Sequence, residues 1–214
     1  MDNINREYID NYINSLISDE DEKLAAFRNE CQERNLPIIH KEVGQFIKLM
    51  IKQSNVKSIL EIGTNVGYSS IFFSHVMNFE GKVVTLERSE KFYQEAVSNI
   101  KNFNLDKNIE VHFGDATEIL DTIEGSFDMA FIDAAKSYYK LFFDKACERM
   151  KSGGIIISDN VLYQGMIASD ELVVRRKKTL VRNLRNYLEY ISHDDRFITS
   201  VLPLGDGLAV TVLK

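Results

Sequence analysis

Two short segments end apolar runs with acidic side chains: Phe131-Ile132-Asp133-Ala134-Ala135-Lys136 and Ile157-Ser158-Asp159-Asn160. If both runs are neighbouring parallel strands, their ends lie about 5 Å apart. Asp133, Asp159 and the Asn160 amide oxygen then surround one point. Three hard oxygen donors without His or Cys suit Mg²⁺ or Mn²⁺, with positions left for water or substrate. The alternative is that each Asp caps the following helix, although two facing carboxylates without a cation would repel one another. Lys136, three residues beyond Asp133, begins a helix, where a cation opposes the helix dipole. A neighbouring metal would favour its neutral form, which suits a general base or a stabiliser of an oxyanion. Otherwise it is a solvated surface lysine.

A second group lies upstream. Leu60-Glu61-Ile62-Gly63-Thr64-Asn65-Val66-Gly67-Tyr68-Ser69 leaves a buried strand and opens a helix, the place where α/β sheets bind ligands. Gly63 and Gly67 let the backbone approach a ligand, and the helix start offers free N–H groups. A tight strand–helix turn would use the same glycines. The spacing is GxxxG and lacks the GxGxxG fingerprint of a dinucleotide site, which argues against an NAD-dependent dehydrogenase. Glu87 ends the second strand, where a carboxylate can accept from both hydroxyls of a ribose. Asp115, in Phe113-Gly114-Asp115-Ala116, either meets an adenine edge or caps a helix, or does both.

These residues need a sheet to align them, and the apolar pattern supplies one. Short apolar runs over 56–62, 82–86, 109–113, 127–132 and 154–158 alternate with amphipathic stretches over 68–77, 90–103, 117–123 and 138–150. Such alternation predicts βαβ crossovers and a mostly parallel sheet covered on both faces. A helix over 172–191 then precedes two strands, 197–202 and 208–213, joined at Gly205-Asp206-Gly207 as an antiparallel hairpin. The first 50 or so residues show helical spacing, with Tyr8, Ile9, Tyr12, Ile13, Leu16 and Ile17 on one face and Phe46, Ile47, Met50 and Ile51 on another. The acidic run 19–22 is expected between helices, favouring the start of the next. The organisation is one domain over 1–214, a helical extension over 1–53 leading into a core over 54–214.

Composition is that of an ordinary soluble domain: 214 residues, 44% hydrophobic and 27% charged, with a net charge of −6. No apolar run reaches the ~18 residues needed to cross a bilayer, and no signal peptide is visible, so a cytoplasmic location is expected. Cys31 and Cys147 match no metal or redox motif and read as reduced thiols. The acidic total argues against nucleic acid coating the whole surface. Residues 171–190 nevertheless hold six basic and two acidic side chains, a net of +4 that leaves −10 elsewhere. On an ideal helix, Arg175, Lys178, Arg182 and Arg185 share a stripe, with Arg176 beside it and Val173, Leu180, Leu184, Leu188 and Ile191 opposite. The stripe is either a phosphate-binding face or a solvated one.

As an ordered set, LEIGTNVGYSS, VTLERSE, FGDA, FIDAAKSYY and ISDNVLYQG resemble the metal-dependent class I O-methyltransferases of the catechol and caffeoyl-CoA type. The resemblance implies a Rossmann-like seven-stranded sheet that carries S-adenosylmethionine (SAM). It assigns cofactor contacts to Ile39, Glu61, Gly63, Ser69, Glu87, Asp115, Ala116 and Asp133, with Ser69 and the Ile39 backbone at the methionine end. It assigns the metal to Asp133, Asp159 and Asn160, and catalysis to Lys136. Glu42-Val43-Gly44-Gln45 resembles the segment that closes over the cofactor. Among relatives, the chain is most similar to bacterial tRNA 5-hydroxyuridine methyltransferases, which implies the tRNA anticodon loop as partner and 5-methoxyuridine as product. Family analogy also implies a homodimer. Two other readings remain: an O-methyltransferase for small catechols or phenylpropanoids, and a noncatalytic RNA-binding module on the same fold.

Overall fold

The computed structural model describes residues 4–18 and 21–214. Seven strands form one sheet: β1 (Ser58–Ile62), β2 (Lys82–Glu87), β3 (Ile109–Phe113), β4 (Phe127–Ile132), β5 (Met150–Asp159), β6 (Phe197–Leu202) and β7 (Leu208–Leu213). Their order is β3-β2-β1-β4-β5-β7-β6. The first five are parallel, and β7 enters antiparallel between β5 and β6. The strand order reverses direction between β1 and β4, which opens a crevice at the carboxyl edge.

Alternation along each strand builds two cores. Ile59, Val83, Met129 and Phe131 face one side of the sheet, and Leu60, Ile62, Leu86, Ala130 and Ile132 the other. The first side is covered by α2 (Glu22–Glu33), α3 (Lys41–Gln53), α4 (Tyr68–Val76) and α5 (Glu90–Asn102). The second is covered by α6 (Ala116–Ile119), α7 (Tyr139–Cys147) and α8 (Lys178–His193). Cys31 and Cys147 belong to opposite cores, are free, and have thiol pKa values pushed up by burial to about 11 and about 12. Among the described residues, no helix is long and apolar enough to cross a membrane.

The structure departs from the sequence reading in several elements, whereas the acidic run, where it is described, starts the next helix as expected. The N-terminal apolar face forms α1 (Glu7–Ser15), but none of its residues is buried, and Tyr8, Tyr12 and Leu16 are exposed. α1 lies against α3, with Ile13 and Ile17 half-buried and the rest of the stripe open to solvent. Within the acidic run, Asp19 and Glu20 lie outside the described residues, while Asp21 caps α2 by accepting from the Lys23 and Leu24 amides. β5 starts at Met150, earlier than expected, because Met150 pairs with Phe127 across an irregular register. The expected helix over 172–191 begins only at Lys178; two 3-10 turns, Asp170–Leu172 and Arg175–Lys177, precede it. Val173 and Val174 between them are extended, as adjacent β-branched residues favour.

Candidate active site

The carboxyl ends of β1, β2, β3 and β4 open into a cavity of about 520 Å³. Gly63, Asn65, Ser69, Glu87, Arg88, Asp115, Ala116, Asp133, Lys136 and Asn160 line it, with residues 37–39 and Tyr138 and Phe142 as apolar walls. The sequence therefore brings most of its candidates to one place. Gly63 adopts φ +108, and a Cβ there would overlap the Asp133 carbonyl. Only glycine lets the loop after β1 pass so close to the end of β4.

Glu87 is 8% exposed, and its carboxylate is oriented by the Asn65 amide at 2.8 Å and the Ser89 amide at 2.7 Å. Asp115 accepts from the Thr117 amide and hydroxyl at 2.9 and 2.7 Å, so it caps α6 while lining the cavity. Those two hydrogen bonds hold its pKa below the usual carboxylate range. α4 begins at Tyr68 behind an N-cap glycine, Gly67, that gives no side-chain cap, and a helix start of this kind presents N–H groups toward an anionic ligand group.

Glu61 stands behind the other candidates. It is fully buried beneath the cavity wall, where it accepts from the hydroxyls of Ser69, Ser70 and Thr85. Burial pushes its pKa up to about 7, against the lowering by those three donors. Glu61 thus fixes the start of α4 from below and does not line the cavity. Glu42-Val43-Gly44-Gln45 also lies behind the cavity wall. It forms the first turn of α3, with Gly44 packed on Phe72, and the cavity wall is made by residues 37–39 just before it.

Around Lys136 two lines of contact meet. Its Nζ lies 3.2 Å from Asp133 Oδ1 and 3.2 Å from the Tyr139 hydroxyl, which donates to the Asp159 carbonyl at 2.8 Å. Sequence reasoning missed Tyr139, although its i+3 spacing from Lys136 on a helical turn was the available signal. Asp159 is 2% exposed and accepts from the Asn160 amide at 2.7 Å and Asn160 Nδ2 at 3.2 Å. Burial, then the charge of Asp133, pushes the Asp159 pKa up. A cation would relieve that repulsion, and two carboxylates with one amide oxygen are a donor set for a hard divalent ion. Among the described residues, no His, Cys or further carboxylate joins them to make a larger cluster.

The basic candidates divide. Arg175 and Arg176 are exposed in the 3-10 turn, and Lys178 and Arg182 are exposed on α8. Arg185 is occupied instead with the preceding loop, donating to Ile167 O at 3.0 Å, Met166 O at 3.2 Å and Asp170 Oδ1 at 2.7 Å. Helical phase alone could not reveal this, since the loop folds back onto α8.

Parallel strands converging on a cavity with acids at the ends of β2 and β3 define an α/β enzyme built for a nucleoside-containing cofactor. Comparisons with known proteins make this specific. The chain is 29% identical over 225 residues to a catechol O-methyltransferase from Niastella koreensis, covering 100% of both chains. It is 30% identical to a caffeoyl-CoA O-methyltransferase from Mesembryanthemum crystallinum, covering 82% of this chain and 72% of that one. The solved O-methyltransferase from Bacillus cereus in complex with SAH is 31% identical, covers 97% of each chain and has a TM-score of 0.83. The O-methyltransferase family model matches residues 14–214, and the chain belongs to that family. It is a SAM-dependent O-methyltransferase.

Proposed function

We propose that this enzyme uses Mg²⁺ to methylate one of two adjacent oxygens on its substrate, and that the substrate is 5-hydroxyuridine in the tRNA anticodon loop. The observation that carries the RNA reading is the position of the basic run. Lys177 Nζ lies 5.3 Å from the centre of the Tyr163 ring, in the loop that follows Asn160. Arg175, Arg176 and Lys178 flank Lys177 and are exposed, which supports a cationic surface beside the loop after Asn160, where phosphates of a splayed loop could be held.

Asp133, Asp159 and Asn160 would hold the metal, which when bound would supply Lewis acidity toward the substrate oxygens. Glu87 and Asp115 fit the ribose and adenine of SAM, and the α4 N-terminus fits its carboxylate. Lys136 Nζ, in its neutral form, would accept the proton of the substrate hydroxyl, whose oxygen would take the methyl group of SAM and leave S-adenosylhomocysteine. Asp133 and Tyr139 hold Lys136 for that transfer. Tyr138, 48% exposed at the cavity wall, is placed to stack on a flat substrate.

A second reading, a small catechol or phenylpropanoid as methyl acceptor, is favoured by the relatives named for catechol and caffeoyl-CoA. One experiment separates the two. Enzyme, SAM and Mg²⁺ are incubated in parallel with tRNA bearing 5-hydroxyuridine and with catechol or caffeate, and products are read by mass spectrometry. Formation of 5-methoxyuridine is expected. Turnover of the phenols alone would replace the RNA reading. Chelation with EDTA is expected to stop methyl transfer and added Mg²⁺ to restore it.

A further inference from the structure

Residues 37–39 border two cavities. One is the cofactor cavity; the other, of about 670 Å³, lies behind the strip and is lined by Asn14, Gln32, His40 and Glu42 among others. The strip belongs to none of the strands of the sheet. Its backbone is tied by two side chains from different parts of the fold. Asn65 Nδ2 donates to Pro37 O at 2.7 Å, and Arg28 Nη1 donates to Ile39 O at 3.1 Å.

Both side chains reach a second cavity element as well. Arg28, on α2 and 8% exposed, stacks its guanidinium over the Tyr68 ring at 4.7 Å, and Tyr68 is the first residue of α4. Asn65 sits at φ 49 in the loop after β1, where its own amide donates to Glu87. The strip is therefore linked through Arg28 to the α4 N-terminus and through Asn65 to the carboxylate that ends β2. We propose that Arg28 and Asn65 are positioning residues that latch residues 37–39 over the cavity and so set the affinity for SAM. Neither needs to touch the reacting atoms, and the latch is independent of the substrate and of the metal.

A net hydrogen bond contributes about 1 kcal/mol, and one from a charged donor somewhat more. Each tie is thus expected to change cofactor affinity about five- to tenfold. The test measures S-adenosylhomocysteine binding by calorimetry, with no methyl acceptor present, for wild type, Arg28→Met, Arg28→Lys and Asn65→Gly. Asn65→Gly keeps the left-handed backbone available and removes only the side-chain amide. Both Arg28→Met and Asn65→Gly are expected to raise Kd about five- to tenfold and to speed hydrogen exchange at residues 36–42. Arg28→Lys, which can still donate to Ile39 O, recovers most of the affinity. In turnover assays the loss falls on KM for SAM more than on kcat. Kd values within twofold of wild type in folded variants would overturn the latch, as would lost activity with unchanged affinity. If Arg28→Met does not fold, Asn65→Gly decides.

Discussion

At the scale of single residues, Glu61 shows how a buried acid can organise a site without entering it. Its pKa of about 7 in the folded chain lies above the ordinary 4.5. Between those pH values the folded state holds a proton that the unfolded state has released, so stability falls as pH rises through this window. The full effect is on the order of 3 kcal/mol. Glu61→Gln is expected to flatten the dependence of Tm on pH between 5 and 8, as calorimetry at several pH values would read. Lys136 makes a second residue-scale case. Losing the Tyr139 hydroxyl leaves it with Asp133, so Tyr139→Phe should lower kcat about tenfold while Lys136→Ala lowers it at least a hundredfold. The placement of Asp133 and Lys136 at one strand end was legible from spacing alone. Arg28 and Asn65 were not, because their partners are carbonyls distant in sequence.

At the scale of elements, the apolar runs were readable because the central strands β1 and β4 are buried on both faces and carry near-continuous apolar sequence, whereas β3, at the sheet edge, buries only Ile109. Ends were less readable. The stretch over 117–123 splits into α6 and a 3-10 turn, Leu120–Thr122, and the basic helix loses its first turns to extended Val173 and Val174. The loop after β1 tolerates little change. Gly63→Ala would meet both an unfavourable φ and the Asp133 carbonyl, and about 3 kcal/mol of destabilisation is expected, measurable by urea unfolding. Arg185 acts at the same scale: Arg185→Met should free the loop over 166–170 to exchange amide hydrogens faster without directly removing a phosphate contact.

For the whole molecule, charge is distributed unevenly: a net of +4 over 171–190 against −10 elsewhere. If RNA is the substrate, replacing Arg175, Arg176 and Lys178 by Ala should weaken tRNA binding and reduce the slope of log K against log salt by about 2. Filter binding at several salt concentrations measures it, and a slope unchanged from wild type would favour the phenolic acceptor. The sheet order also has a temporal consequence. β7 is the last of the seven strands to be synthesised, yet it pairs with β5, and the turn before it receives the amides of Val161 and Leu162 just past Asn160. On the ribosome, β5 therefore waits with one bare edge, open to chaperones or to a neighbouring nascent chain. The loop past Asn160 gains its bonds to Asp206 and Gly207 only when that closing segment is in place.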